Sequence, residues 1–219
     1  MNSHSRELSH AFLNFALESQ VLRFGRFTTK AGRESPYFFD AGLFNTGAKL
    51  EALGRFYAET IQNHTLNYSM LFGPAYKGIA LATTTASALS RYYGLDIPIA
   101  FNRKEAKDHG EGGQMIGSPL TGRVLVVDDV ISAGTSVGES ANWIKAAKAE
   151  LSGVIVALDR QERSGSDSRS AVQQVEDTYG VPVIAIARLD DLVHLLAGDA
   201  EHRGHLPAIL EYRKQYGVD

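Results

Sequence analysis

The segment Val124-Leu125-Val126-Val127-Asp128-Asp129-Val130-Ile131-Ser132-Ala133-Gly134-Thr135-Ser136 constrains this chain more than any other. Four consecutive apolar residues are too continuous for a strand with one wet face. They place Val124 to Val127 in the middle of a parallel sheet covered by helices on both sides. Ligands of such sheets bind beyond the carboxyl ends of the strands. Asp128 and Asp129 stand at that edge, and the hydroxyl-rich stretch Ser132 to Ser136 leads into a helical pattern from Val137 to Leu151.

The turn suits a phosphate. Ala133 and Gly134 leave the backbone open to close approach, Ser132, Thr135 and Ser136 supply hydroxyl donors, and free amides at a helix start favour an anion. Acids beside a phosphate repel it unless they grip sugar hydroxyls or hold a Mg²⁺ through water. Together the two halves describe a site for a ribose 5-phosphate. A Walker A loop is excluded, because no Gly-Lys-Ser/Thr follows the glycine.

A chain of 219 residues, 44% hydrophobic and 21% charged, fits one globular α/β domain with a real core. Its net charge of −3 provides no strong field for nucleic acid, so no nucleic-acid partner is expected. The absence of cysteine excludes disulfides, thiolate nucleophiles and cysteine metal sites. No run approaches the roughly 18 apolar residues of a membrane span. Met1 to Gln20 mixes Arg6, Glu7 and Glu18 with apolar residues, which suits an amphipathic helix rather than a signal peptide. A cytoplasmic protein without a membrane partner is the expectation.

Val21 to Phe44 is rich in Phe, Tyr, Thr and Gly and reads as an antiparallel pair laid over a larger core as a hood. Thr46 to Asn63 is a helical pattern. From there short apolar runs alternate with helices: Ser69 to Phe72, Ile97 to Phe101, Val124 to Val127, Val154 to Leu158 and Val183 to Ala187 are the strand candidates. Helices are expected at about Gly78 to Tyr93, Val137 to Leu151 and Ala171 to Tyr179. The succession predicts an α/β fold with a central, mostly parallel five-stranded sheet flanked by helices. The hood takes in about residues 1–45 and a helical C-terminal segment from Leu189 to Tyr216, the core about residues 46–190, all within one domain spanning 1–219.

Two further segments carry chemistry. Phe72-Gly73-Pro74-Ala75-Tyr76-Lys77-Gly78 leaves a strand, turns tightly and places Lys77 near the same sheet edge. Arg103-Lys104-Glu105-Ala106-Lys107-Asp108-His109-Gly110-Glu111-Gly112-Gly113 is too polar and glycine-rich for a core. It reads either as a solvated loop or as a basic lid closing on an anion. His202 and His205 have no companion ligand in the sequence, and a metal site there is not expected.

The run from Val124 to Ser136 resembles the phosphoribosyl-pyrophosphate (PRPP) signature of the type I phosphoribosyltransferases. Phe27 to Arg33, Ser35 to Phe39, Gly73 to Gly78 and Arg103 to Gly112 narrow the resemblance to the orotate-using branch of that family. It implies that Lys30, Tyr76, Lys77 and the segment Asp128, Asp129, Val130, Ile131, Ser132, Ala133, Gly134, Thr135 and Ser136 contact PRPP. It implies that Phe38, Phe39, Ser132 and Arg160 meet the pyrimidine, and that Arg103, Lys104, Lys107 and His109 form the lid. Lys107, His109, Asp128 and Asp129 become the catalytic candidates. It further implies a homodimer whose lid reaches the partner's site, and a Mg²⁺ held mainly by PRPP, with no direct protein ligand beyond a water-mediated contact to Asp128. The expected reaction is a pentosyl transfer from PRPP to orotate, giving orotidine 5′-monophosphate and pyrophosphate. A purine phosphoribosyltransferase, which should lack this hood, and a noncatalytic PRPP-sensing regulator are the competing readings.

Overall fold

The computed structural model describes residues 3–29, 32–107, 113–132, 134–165 and 167–218, and of Ser3, Ala106, Lys107 and Gly113 only the backbone. The elements run α1 (Ser3–Glu18), β1 (Leu22–Thr28), β2 (Glu34–Phe39), α2 (Gly47–Gln62), β3 (Met70–Gly73), α3 (Lys77–Tyr93), β4 (Ile99–Lys107) and β5 (Gly113–Gly117). They continue as β6 (Arg123–Asp128), α4 (Thr135–Ala146), β7 (Glu150–Asp159), α5 (Ala171–Tyr179), β8 (Val183–Arg188), α6 (Leu189–Gly198) and α7 (Leu206–Tyr216).

The central sheet has the order β5-β4-β3-β6-β7-β8. The five expected strands pair in parallel, and β5 adds a sixth, antiparallel strand at the edge. The polar run read as a solvated loop or a lid is partly strand: β4 continues through Arg103 and Lys104 to Lys107, which lies opposite Gly113 at the start of β5. An edge hairpin can keep both faces in water, so polarity does not exclude strand pairing there.

The apolar runs divide by parity between two cores, as the period of two along a strand requires. Leu71, Leu125, Val127, Ile155, Ala157, Ile184 and Ile186 face one layer with α1, α2 and α6. Met70, Phe72, Val124, Val126, Val154, Val156 and Val183 face the other with Val137 and Ile144 of α4 and Val175 of α5. Val124 to Val127 are fully buried, which explains why the run has no polar alternation.

Helix α4 ends at Ala146, short of the expected Leu151. Lys148 turns the chain at φ 58°, and Glu150 and Leu151 pair with Arg123 and Val124 as the start of β7. The C-terminal stretch is two helices separated by a short 3-10 turn at Arg203–His205 rather than one.

β1 and β2 form an antiparallel hairpin with Leu22 opposite Phe39. Its inner face is aromatic: Phe39 meets Phe12 and Phe44, and Tyr37 lies edge-on to Tyr212 of α7 at 6.2 Å. The hairpin is thereby fixed to both terminal regions of the chain.

Candidate active site

β3 and β6 are neighbours in the sheet, so their carboxyl ends deliver two turns side by side. The chain passes from β3 to β4 on one side and from β6 to β7 on the other, which makes this the topological switch point where α/β sheets bind ligands. The first turn is tight. A Cβ on Gly73 would lie 2.0 Å from the Gly78 carbonyl oxygen, and one on Gly78 would lie 2.6 Å from Pro74 Cδ. Only glycine at both positions lets the start of α3 sit so close to the strand end. The Ala75 amide donates to Asn102 Oδ1 at 2.8 Å, tying this turn to β4.

The two acids at the end of β6 are held by separate sets of donors. Asp128 Oδ1 accepts from the Asp129 amide at 2.9 Å and Oδ2 from the Ser136 hydroxyl at 2.8 Å. Asp129 Oδ1 accepts from the Val130 amide at 2.9 Å and Oδ2 from Lys77 Nζ at 2.6 Å. Beneath them the Tyr57 hydroxyl donates to the Asp128 carbonyl at 2.7 Å. Burial and the neighbouring Asp129 charge push the Asp128 carboxyl up to about 6, partly opposed by the Ser136 bond. Burial works against the Lys77 ammonium, yet its bond to Asp129 and the charges of Asp129, Asp40 and Asp128 outweigh this and raise its pKa. Lys77 is therefore a fixed positive charge at neutral pH.

Asp128 and Ser136 border a cavity of about 390 Å³ that is also lined by Ser132, Thr135 and Glu139, with Lys104 from β4 and Ala75 from the facing turn. Gly134 precedes α4 at φ 70°, and no side chain caps that helix. Its leading amides lack a side-chain acceptor and suit an anion. Lys104 Nζ lies 5.1 Å from the centre of the Tyr76 ring, and Tyr76 is 68% exposed.

A second cavity, of about 110 Å³, adjoins the first, and Ile131 and Ser132 line both. Its other walls come from the hairpin turn and the end of β7: Arg33, Asp159, Arg160, Glu162 and Arg163. Three arginines against two acids leave this small cavity with one excess positive charge if all five are ionised. The Arg160 guanidinium lies over the Tyr37 ring at 4.3 Å and bonds Glu162 Oε1 through Nε at 2.8 Å. Burial acts against its charge, but Tyr37 and Glu162 more than offset this and raise its pKa.

A phosphoribosyl transferase domain profile matches residues 43–186, from the end of the hairpin region through β8. The chain is 58% identical over 207 residues to an orotate phosphoribosyltransferase of Cronobacter sakazakii, covering 94% of this chain and 97% of that protein. It is also 58% identical over 220 residues to an orotate phosphoribosyltransferase of Nitrosococcus oceani, covering 100% of this chain and 98% of that one. The chain belongs to the orotate phosphoribosyltransferase family. A solved orotate phosphoribosyltransferase of Francisella tularensis superposes with a TM-score of 0.86 at 40% identity, covering 95% of this chain and 100% of that one.

Within this orotate phosphoribosyltransferase framework, Asp128, Asp129, Val130, Ile131, Ser132, Gly134, Thr135, Ser136, Lys77 and Lys104 gather at one sheet edge. Arg103 lies on β4, and Lys107 is the last residue of that strand. Lys30, His109 and Ala133 lie outside the described residues. Phe38 and Phe39 do not come together. They are successive residues of β2, so Phe39 is buried in the core while Phe38 stacks on Phe27 at 5.4 Å with Arg23 over its ring. Neither lines the small cavity.

Tyr57, Asn102, Tyr37 and Glu162 are site-supporting residues that sequence reasoning missed. Tyr57 and Tyr37 sit within apolar patterns that read as packing, and Asn102 follows the apolar part of β4. Only Glu162 carried a signal, two residues beyond Arg160.

Proposed function

We propose that this protein transfers the 5-phosphoribosyl group of PRPP to orotate, reversibly yielding orotidine 5′-monophosphate and pyrophosphate in pyrimidine biosynthesis. One observation carries the choice of base: the small cavity with an excess positive charge shares Ile131 and Ser132 with the hydroxyl-lined cavity. A flat base with its own carboxylate matches the first, and a ribose 5-phosphate matches the second.

The amides and hydroxyls from Ser132 to Ser136 hold the 5-phosphate, and Asp128 and Asp129 hold the ribose hydroxyls. Lys77, Tyr76 and Lys104 lie toward the pyrophosphate, and Lys30, Arg103, Lys107 and His109 are assigned to the same substrate group. Arg160 faces the orotate carboxylate, with Ser132 beside the ring. Phe38 and Phe39 act on the base through the shape of the hairpin.

The pyrimidine nitrogen forms its bond to the anomeric carbon as the bond to pyrophosphate breaks, with inversion and without a protein nucleophile. Holding both reactants in line supplies much of the rate, and cations around the leaving group stabilise the charge that develops on it.

The donor set fits a Mg²⁺ carried by the substrate. Among the described residues no group of three or more His, Cys, Asp or Glu side chains is placed to hold a metal. Asp128 and Glu139 are the carboxylates that line the cavity, with Asp129 beside Asp128 at the end of β6, and Asp128 and Asp129 already accept hydrogen bonds. Asp128 would hold a Mg²⁺ carried by PRPP through water. When bound, the ion neutralises charge on the diphosphate.

The protein is read as one domain in which the hairpin and C-terminal helices hood the core. It acts as a cytoplasmic homodimer in which each lid completes the partner's site. No described helix is long and apolar enough to cross a membrane.

Incubation with PRPP and Mg²⁺ and, separately, orotate, uracil, adenine or hypoxanthine tests the reading. Nucleotide and pyrophosphate should form with orotate. PRPP binding without turnover of any base would favour a regulator, and turnover of a purine instead would reassign the substrate.

A further inference from the structure

We infer that Glu162 is a positioning residue for base recognition, holding Arg160 by one edge so that its remaining donors serve the small cavity. The inference rests on the orotate reading above and extends it to a residue that needs no contact with substrate.

Glu162 Oε1 takes both Nε, at 2.8 Å, and Nη2, at 2.7 Å, of Arg160. Nη2 also donates to the Ser35 hydroxyl at 3.0 Å, and the Tyr37 ring lies against the guanidinium plane. A guanidinium carries five N–H donors in a rigid fork, so an arginine held side-on and stacked retains donors on its Nη1 side in a known orientation. Arg160 and Glu162 side chains are only 18% and 14% exposed. Their pairing is therefore less screened than a surface ion pair.

Glu162 is itself held from several directions. The Tyr37 hydroxyl donates to Oε1 at 3.3 Å. Arg33 approaches Oε2 at 3.8 Å while covering the Tyr216 ring at 4.8 Å. The backbone around it is strapped to the C-terminal segment: the Arg163 amide donates to the Tyr216 carbonyl at 2.8 Å, and the Val218 amide to the Gln161 carbonyl at 2.9 Å. Between the two partners Gln161 adopts φ 51°, a left-handed conformation unusual for a residue with a side chain. Its side chain exchanges hydrogen bonds with Asp190 at 3.0 and 2.8 Å, which secures the turn. The chain thus spends a strained residue and a terminal strap on keeping Arg160 and Glu162 together.

Steady-state kinetics of Glu162→Ala, Arg160→Ala and the double variant, with orotate and PRPP varied separately, provide the test. Glu162→Ala should raise the orotate KM about tenfold while the PRPP KM stays within about twofold, the scale expected from misplacing one binding group. The effect should vanish in the Arg160→Ala background, because residues acting through one contact are not additive. Glu162→Gln, which keeps an Oε1 acceptor, should recover most of the orotate affinity. An unchanged orotate KM, equal rises in both KM values, or additive effects in the double variant would overturn the proposal. Should Glu162→Ala fail to fold, the same cycle with Glu162→Asp, whose carboxylate is one methylene short of Arg160, is judged by the same criteria. A wild-type protein that does not turn over orotate would overturn the assigned reaction instead, so the two failures are distinct.

Discussion

The two adjoining cavities are built in opposite ways. The larger draws most of its polar groups from one continuous run, Asp128 to Ser136, and takes from elsewhere Lys104 of β4, Ala75 of the facing turn and Glu139 of α4. The smaller is assembled from the hairpin turn at Arg33, the turn at Ile131 and Ser132, and the end of β7 at Arg160 to Arg163. Behind it stand Ser35, Tyr37 and Tyr216. A group that every substrate of a class shares can be bound by a local device. A group that distinguishes one base from another is bound here by the way distant segments close on each other.

Replacing Asp128 and Asp129 together by asparagine gives the sharpest break. PRPP-dependent turnover should fall about 10³-fold, the upper end for preorganised polar groups at a reacting centre. The fold should survive, because both side chains lie at the sheet edge; circular dichroism and PRPP titration check this. Retained PRPP affinity and activity would move the sugar site elsewhere.

Lys107→Ala should lower turnover about 10²-fold with little change in orotate binding, if the lid acts on the departing pyrophosphate. Single-turnover rates beside an orotate binding isotherm separate these effects. Unchanged turnover would remove Lys107 from the reaction and leave β4 and β5 as a structural arm.

Tyr57→Phe probes the support under the acids. Losing its 2.7 Å bond to the Asp128 carbonyl should cost about 1 kcal/mol in urea unfolding, the ordinary net value of one such bond. Orotate KM should not change, since Tyr57 does not line the small cavity.

The last prediction concerns pH. The Asp128 carboxyl titrates at about 6 in the folded protein against 3.8 as its ordinary value, so the native state holds this proton more tightly than the unfolded chain. Its contribution to stability therefore falls as pH rises through that window, and the cost is complete above it. Asp128→Asn should flatten this part of the stability profile in metal-free unfolding at several pH values. A slope identical to wild type would assign the titration to another group.

Much of this molecule was legible in advance. The five parallel strands were evident because each carries a continuous apolar run without polar alternation, which burial on both faces explains for β3, β6 and β7. The phosphate turn was evident because strand, acids, hydroxyls and helix follow one another within a few residues. The extension of β4 from Arg103 to Lys107 was not, since a solvated edge arm and a solvated loop have the same polarity, and β5 is a five-residue strand with a glycine at each end. The end of α4 was overrun because Ala147 to Leu151 carries no proline or glycine, and only pairing with β6 draws Glu150 and Leu151 into a strand.

The pyrimidine side shows where local pattern stops. Phe38 and Phe39 are both expected at the pyrimidine, yet as adjacent strand residues they point to opposite faces. Arg160 was visible as a planar cation, whereas its holder was not. The sequence by itself determined the parallel α/β core and the place where phosphate chemistry leaves it, because those depend on residues close together in the chain. The tertiary structure alone decided how Arg160 is held. That depends on Ser35, Tyr37, Glu162 and the strap at Tyr216 to Val218, whose bonds have meaning only after the hairpin and the last helix have closed over the sheet.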